Sequence, residues 1–190
     1  MKDLIEEYNP QWKQSFDAIK MVLNNALKEY STAIDIQHVG STAIPGMVAK
    51  PILDIDIIIK DKSLLSSITT HLQDLGYINR GDQGIPGRFA FRQSSEYVPF
   101  TDPNTKKQSH HLYVCYSDSI ALKNHLLIRD ALLNDSQLVA RYSQLKMGLV
   151  NQKNMSREKY TIQKTEFILE LLAKSGLDSN ELVEIRNANK

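Results

Sequence analysis

The chain has 190 residues, 42% of them hydrophobic, which is enough to bury the core of one domain. Lys and Arg total 23 against 22 for Asp and Glu, so there is no whole-protein field to attract nucleic acid or an anionic membrane. The single cysteine, Cys115, excludes an internal disulfide and a multi-cysteine zinc site. With no apolar leader and no run near the roughly 18 apolar residues of a membrane span, we expect a cytoplasmic protein.

The spacing of apolar and turn-forming residues in the first half of the chain predicts both helices and strands. Asn9-Pro10 predicts a helix start, and apolar residues then recur at helical spacing as far as Leu27. A strand follows at 34–39, and 52–59 is too rich in β-branched residues for a helix, which predicts a strand buried on both faces. The remaining predicted elements of this half are a helix at 63–75 capped by Gly76 and strands near 77–80, 88–92 and 110–116.

The second half changes character after Ser117. Apolar periodicity predicts helices over 119–133, 136–151, 157–173 and 179–187. We therefore expect an α/β (α+β) fold whose second half is helical. The expected division is an α/β core at 1–116 and a C-terminal helical region at 117–190, packed together as one unit.

The predicted strand 52–59 carries two acids, Asp54 and Asp56. Residues two apart on a strand project from the same face, so the two carboxylates share one environment. Like charges this close repel and are costly to bury, so a cation or hydrogen bonds must compensate them. Magnesium prefers hard oxygen ligands and is held by one or two carboxylates together with substrate phosphates. Asp54 and Asp56 are therefore predicted ligands of Mg²⁺ or Mn²⁺.

Upstream, the turn Gly40-Ser41-Thr42 follows the predicted strand 34–39. Glycine lets backbone amides approach an anion, and the Ser41 hydroxyl adds a donor for a phosphate oxygen. Each feature alone is ordinary, since Gly-Ser pairs are common in turns and two acids can lie on a solvated edge strand. The ordered combination of turn and acidic strand is more specific, and it predicts a seat for the β and γ phosphates of a nucleotide.

The order of Gly40-Ser41, a spacer, and Asp54-Ile55-Asp56-Ile57 resembles the pattern of the nucleotidyltransferase superfamily. The longer segments His38 to Gly46 and Lys50 to Asp56 resemble the signature of its GrpB-like family. The resemblance continues at 110–114, 128–133, 142–146 and 160–167, and so covers nearly the whole chain. It implies the nucleotidyltransferase fold, a mixed β-sheet flanked by helices, with a C-terminal helical extension, occurring alone or fused to dephospho-coenzyme A kinase.

The chain departs from the superfamily pattern in one respect. A third carboxylate on a neighbouring strand usually completes the metal site, and none can be placed here by spacing. On 110–116 alternation puts His111, Tyr113 and Cys115 on one face, where the family typically shows His-x-His. His111 is a candidate metal ligand or base, or else a structural histidine beneath the sheet. The possible third acids in loops are Asp82, Glu96, Asp102 and Asp118.

Several cationic or aromatic residues are candidates for nucleotide contacts, each with a structural alternative. His38 precedes the turn, Lys50 precedes Pro51, and Arg88 and Arg92 share a strand face where they would clamp an anion. The alternatives are a hydrogen-bonding strand-end histidine, an exposed lysine and an exposed strand face. The helical residues that would line a second wall of the cleft, or simply bridge helices, are Arg129, Asp130, Tyr142, Lys146, Tyr160 and Lys164.

Two functions follow from these patterns. The first is Mg²⁺-dependent transfer of a nucleotidyl group from a nucleoside triphosphate to an unknown hydroxyl acceptor, with Asp54, Asp56 and His111 catalytic. The phosphates would be bound by Gly40, Ser41, Thr42, His38, Lys50 and Arg92. The alternative is a non-catalytic module that binds a nucleotide or phospho-ligand, linked to coenzyme A metabolism. A transferase acting on RNA or protein is a lesser option, because the balanced charge supplies no basic stripe for nucleic acid.

Overall fold

A five-stranded mixed sheet forms the centre of the molecule in the computed structural model, which describes residues 5–153 and 155–188. The strands are β1 (Ile34–Val39), β2 (Leu53–Ile59), β3 (Tyr77–Asn79), β4 (Arg88–Gln93) and β5 (His110–Tyr116). Their order across the sheet is β1-β2-β5-β4-β3. The β2–β5 pair is parallel and the other three pairs are antiparallel. All five predicted strands are present.

Within the residues that the structure describes, six α-helices flank the sheet. They are α1 (Gln11–Ala26), α2 (Leu65–Asp74), α3 (Ile120–Asn134), α4 (Ser136–Val150), α5 (Arg157–Lys174) and α6 (Ser179–Ala188). Short 3₁₀ turns lie at Lys28–Tyr30, Ser41–Ala43 and Lys62–Leu64. The last of these replaces the first turn of the helix predicted at 63–75. The predicted α/β fold with C-terminal helices is confirmed, whereas the outermost residues of the proposed division, 1–4 and 189–190, lie outside the described chain.

The main core lies between one face of the sheet and the helices α1 and α2. Helix α1 begins where the Asn9 side chain accepts a hydrogen bond from the Gln11 amide at 2.9 Å, which satisfies one of its unpaired first-turn donors. Alternation in β2 directs four apolar side chains to this face. The buried residues are Trp12, Phe16, Ile19, Leu23, Leu27, Ile36, Leu53, Ile55, Ile57, Ile59, Ile68, Leu72, Phe91, Leu112 and Val114.

The opposite face of the sheet is covered by the C-terminal helices. Helix α3 contacts β1 and β5, and α5 contacts α3, α4 and α6. A second apolar cluster joins these helices to the loop after β1 through Ile44, Met47, Leu132, Val139 and Tyr142. The segment between β1 and β2 is thereby fixed from the helical side, and the space between it and the helices is where the predicted site residues lie.

Candidate functional site at the Gly40-Ser41 turn

The Gly-Ser turn lies directly against Asp54. Gly40 follows the last residue of β1 and has a φ of +70°, a backbone conformation that favours glycine. A Cβ added at Gly40 would overlap Asp54 Oδ2 and would lie 3.1 Å from the Asp54 Cβ. Val39 pairs with Asp54 in the antiparallel β1–β2 ladder, which is why the turn and the acid meet. Glycine here is required by both the backbone and the close approach.

Asp54 and Asp56 lie on one face of β2, away from the main core. Their register partners on β5 are His111 and Tyr113, which therefore share that face. The two carboxylates differ in environment, because the Asp54 side chain is 33% exposed and the Asp56 side chain is fully buried. A fully buried carboxylate needs a partner of opposite charge or several hydrogen bonds.

The partner of Asp56 is His125 on α3. Its Nδ1 lies 2.8 Å from Asp56 Oδ2, and the two form a histidine–carboxylate pair. Burial disfavours the protonated imidazole. The charge of Asp56, the hydrogen bond to it and the charge of Asp54 together outweigh that effect and raise the pKa of His125. Asp56 therefore favours the protonated form of His125, which gives the buried acid a hydrogen-bonding partner.

Asp54 makes a similar but more exposed pair with His111. His111 Nδ1 is 3.0 Å from Asp54 Oδ1, and the imidazole is 57% exposed. An Nδ1–H that donates to the carboxylate leaves the lone pair on Nε2, so Asp54 selects the tautomer in which Nε2 can accept a proton. This arrangement suits a base held at the rim of the site.

Each carboxylate thus has one oxygen that is not hydrogen-bonded to a histidine. Asp54 Oδ2 lies beside Gly40, and Asp56 Oδ1 is buried with no hydrogen-bond partner. Among the described residues no group of three or more His, Cys, Asp or Glu side chains is arranged to hold a metal ion by itself. Magnesium does not require such a cage, since one or two carboxylates, water and phosphates suffice. The donor chemistry of the two acids therefore fits a divalent cation that binds together with a phosphorylated ligand.

Three lysines, Lys50, Lys146 and Lys164, line the cavity next to the turn and Asp54. Lys146 on α4 is 3% exposed and donates hydrogen bonds to Ser41 Oγ and, at 3.0 Å, to the Val48 carbonyl. Burial, together with the charge of Lys164 on α5, lowers the pKa of Lys146 to about 7, against a smaller opposing effect of Asp54. The pKa of Lys164 is also lowered by burial. Lysines with weakened proton affinity beside a small-residue turn are poised to gain charge when an anion binds.

Two adjoining cavities run past these groups. The cavity on the lysine side is about 280 Å³ and is lined by Ser41, Lys50, Asp54, His111, Lys146 and Lys164 among others. The second is about 270 Å³ and also borders Ser41, Asp54 and Lys164, but extends under α3 to Tyr113, Asn124 and His125. We call the first the lysine cavity. Together they have the size of a small-molecule site.

The structure places His38 on the opposite side of the sheet from the two acids, whereas Thr42 lines the lysine cavity together with Asp54. His38 alternates with Gln37 and Val39, so its ring lies on the α1 side of the sheet, stacked on Phe16 with ring centroids 4.6 Å apart. Its Nε2 is 3.0 Å from Thr42 Oγ1, and burial lowers its pKa to about 4. Thr42 itself is 2% exposed. These contacts favour a structural role for His38, while Thr42 stays a predicted phosphate contact at the wall of the lysine cavity.

The two other predicted phosphate ligands lie on the correct side. Lys50 lines the lysine cavity, with its Nζ 5.8 Å from the centre of the Tyr160 ring. Arg92 pairs with His111 on the face that carries Asp54, but it is exposed and two strands away, roughly 10 Å at the usual strand spacing. Lys50 is thus the nearer of the two to the turn.

The loop acids considered as a third carboxylate have other partners or lie at the surface. Asp118 pairs with Lys62 at 2.8 Å, close to the far end of β2, and Glu96 pairs with Lys106 at 3.1 Å. Asp82 accepts a hydrogen bond from the Gly84 amide in a surface turn, and Asp102 is exposed. Within 5–153 and 155–188 the side chains that pair with Asp54 and Asp56 are therefore the histidines His111 and His125, and none of these four acids joins them.

Sequence reasoning did not identify His125, and it left Lys146 and Lys164 undecided between cleft and helix contacts. His125 has no motif around it and is recognisable only once α3 is placed over β2. Arg129 fits the bridging alternative, because it donates to Gln37 Oε1 at 2.7 Å and links α3 to β1. Lys146 and Lys164 line the cavities and so belong to the cleft wall.

A family model and curated relatives both match this chain to GrpB proteins. The family model described as GrpB protein matches residues 4–174. The glutamate-rich protein GrpB of Alkalihalophilus pseudofirmus is 30% identical over 171 residues, covering 89% of this chain and 93% of that protein. The UPF0157 protein YqkA of Bacillus subtilis is 32% identical over 161 residues, but this chain spans only 43% of its length.

Solved structures give the same result for the fold. The crystal structure of conserved protein GrpB from Enterococcus faecalis superimposes with a TM-score of 0.72 at 26% identity, covering 90% of this chain and 98% of that one. The Cid1 poly(U) polymerase bound to MgATP superimposes with a TM-score of 0.57 at 15% identity, covering 88% of this chain and 51% of that one, a likeness of fold. In the part of the chain that is described, no helix has the length and apolarity to cross a membrane. The chain belongs to the GrpB family and has a nucleotidyltransferase-like fold.

Proposed function

We propose that this protein binds a nucleoside triphosphate with a divalent cation and transfers its nucleotidyl group to a hydroxyl acceptor. The observation that carries the proposal is the contact between Asp54 and Gly40, with Asp56 two residues further along the same face. A phosphate chain that lies on the turn would thus be next to both acids. The fold shared with Cid1, whose structures include a MgATP complex, supports the same reading.

The roles of the residues follow from their placement. Asp54 Oδ2 and Asp56 Oδ1 would hold the cation, which supplies neutralisation of phosphate charge. Ser41 Oγ accepts its bond from Lys146 and keeps its own hydrogen to donate to a phosphate oxygen. Lys164 and Lys50 line the same cavity and add positive charge. These groups position the reactant and stabilise charge, so no covalent intermediate with the enzyme is required.

The acceptor proton needs a base in a site without a third carboxylate. His111 is the proposed base, because Asp54 holds its Nδ1 and its Nε2 faces away from that bond. The exposed imidazole is reachable from solvent and so from an incoming acceptor. His125 is less suited to this role, since its Nδ1 is bound to the buried Asp56 and its pKa is raised, which favours a counterion that keeps its proton.

One experiment separates transfer from simple binding. The protein is incubated with Mg²⁺ and each α-labelled nucleoside triphosphate, and pyrophosphate release is followed beside equilibrium binding. We expect release that Asp54→Asn and Asp56→Asn each reduce at least 100-fold with the fold intact by circular dichroism. Asp35→Asn is the matched control, an exposed acid on the same sheet face of β1. Transfer that survives both substitutions would contradict the proposal.

The second candidate is a non-catalytic nucleotide-binding module. It is favoured by the His125–Asp56 pair, which compensates the buried acid without a metal, and by the absence of a third acid among the described residues. Tight nucleotide binding with no pyrophosphate release, and only a loss of affinity in Asp54→Asn, is the result that this alternative predicts.

A further inference from the structure

A third and larger cavity lies on the other flank of the Asp56–His125 pair. It is about 550 Å³ and is bounded by α3, by α6 and by the turn at 84–86. This volume is typical of a site for a small molecule. The cavity, which we call the α3–α6 cavity, shares Asn124 and His125 with the cavity that reaches Ser41 and Asp54. The two spaces therefore meet at His125.

Some of the polar atoms near this junction lack partners. Among the side chains that the structure describes, three buried nitrogen or oxygen atoms make no hydrogen bond, namely Asp56 Oδ1, Arg88 Nε and Asn124 Oδ1. Arg88 and Asn124 both line the α3–α6 cavity. Leaving a buried donor or acceptor unpaired is costly, so such groups in a native protein call for an explanation. An unpaired donor and an unpaired acceptor on two side chains of the cavity wall fit a ligand that both accepts and donates hydrogen bonds.

Arg88 is also held in place for an anion. Its guanidinium lies over the Tyr113 ring, with the central carbon 4.7 Å from the ring centre, which fixes the orientation of the side chain. The turn before it is closed by hydrogen bonds from the Ile85 amide to the Asp82 carbonyl at 3.0 Å and from the Arg88 amide to the Ile85 carbonyl at 3.2 Å. The wall is therefore formed before any ligand arrives.

The rest of the lining describes the ligand more closely. Asn180 and Glu184 on α6 also line the cavity and provide groups for hydroxyls, while Ile85 and Ala121 provide apolar contact. The described residues that line it include no Phe, Tyr or Trp on which a base would stack. A carboxylate among the lining groups and a chain net charge of only +1 disfavour a polyanion such as RNA.

We propose that the α3–α6 cavity binds the acceptor, and that the acceptor is a small hydroxylated acid whose anionic group pairs with Arg88 and whose hydroxyl reaches past His125 into the adjoining cavity beside Asp54, where its proton would pass to His111. In sheet order Gly40 lies beyond β2 on one side and Arg88 lies two strands away on the other. Acceptor and triphosphate would therefore approach the acids from opposite flanks, as an in-line displacement needs. This inference rests on the proposed transfer function, but the occupancy of the cavity can be measured without it.

The test uses D-glycerate as the probe, a carboxylate with two hydroxyls, titrated into the full chain without nucleotide and followed by ¹H–¹⁵N NMR. We expect millimolar binding with shifts at α3 and the 84–88 turn, weakened at least tenfold by Arg88→Met and by Ala121→Leu, which fills the cavity. Arg80→Met is the matched control for an exposed arginine near the same turn and should bind within twofold of wild type. No binding, or binding that Arg88→Met leaves unchanged, would overturn the proposal.

Two further arms separate this inference from the proposed function. In the first, label transfer from a nucleotide to a short RNA is measured in wild type and in Ala121→Leu. Equal transfer in both would identify RNA as the acceptor, which overturns the inference but not the proposed function. In the second, Lys164→Met removes a lysine from the nucleotide-binding side and should leave D-glycerate affinity unchanged. A loss of affinity as large as that in Arg88→Met would show that the probe binds at the phosphate site, which overturns the inference. Glycerate binding in a protein that binds no nucleoside triphosphate would support the cavity and contradict the transferase.

Discussion

The buried Lys146 makes stability depend on pH in a way that can be worked out from the structure. Burial lowers its pKa from 10.5 to about 7, with Lys164 adding to the effect. Below pH 7 the lysine is charged in both the folded and unfolded states, and the folded state bears the full cost of the buried charge. Between pH 7 and 10.5 only the unfolded state remains protonated, so the free energy of unfolding rises with pH. At 1.36 kcal/mol for each pH unit the gain is about 3–5 kcal/mol.

Lys146→Met should remove this gain. Urea unfolding at pH 6 to 10 measures it, and the free-energy difference between variant and wild type should shift by about 3–5 kcal/mol across that range. The variant gives up hydrogen bonds to Ser41 and Val48, which lowers its stability by a nearly constant amount at all pH values. Lys60→Met, at an exposed position, is the control and should run parallel to wild type. A parallel course for Lys146→Met as well would refute the reasoning.

The same lysine links nucleotide binding to protons. A triphosphate next to Lys146 would raise its pKa, so binding at pH 8 should take up a sizeable fraction of one proton and binding at pH 6 almost none. Affinity should therefore fall as pH rises above 7. Calorimetry in buffers of different ionisation enthalpy measures the uptake. Uptake at pH 8 that persists unchanged in Lys146→Met would assign the proton to another group.

Three other substitutions test separate parts of the structure. Gly40→Ala should lower the free energy of unfolding by about 1–3 kcal/mol and displace Asp54, because φ is +70° and the new Cβ overlaps Asp54 Oδ2. Urea unfolding measures the first effect and nucleotide titration the second. Wild-type values in both would contradict the contact between Gly40 and Asp54. His125→Leu should cost about 3–5 kcal/mol by leaving Asp56 unpaired, and Asp56→Asn in the same chain should recover much of it, as a double-mutant cycle would show. Arg129→Met should cost about 1–2 kcal/mol in thermal unfolding while leaving nucleotide affinity within twofold, since the side chain bridges α3 to β1.

The fold was predictable because its periodicities are local. The β-branched run 52–59 and the helical spacing after Asn9-Pro10 identify β2 and α1 from the sequence alone, and each boundary agrees within one or two residues. The shared face of Asp54 and Asp56 follows from the alternation of a strand in the same way. These inferences need no knowledge of which elements pack together.

The parts that were missed depend on packing between distant segments. His125 lies 69 residues from Asp56 in the chain, and Lys146 lies 105 residues from Ser41. Helical spacing shows that Tyr142 and Lys146 share a face of α4, but it does not show whether that face meets the sheet. A single histidine in a helix, such as His125, cannot be recognised as a partner of Asp56 until the position of that helix over the sheet is known.

Binding of Mn²⁺ measured by electron paramagnetic resonance tests most directly whether the two acids and the turn form one metal–nucleotide site. With a non-hydrolysable triphosphate present, wild type should bind one Mn²⁺ for each chain, and Asp54→Asn should abolish that binding while Asp35→Asn does not. Equal Mn²⁺ affinity in wild type and Asp54→Asn, or binding that the triphosphate does not enhance, would contradict the account.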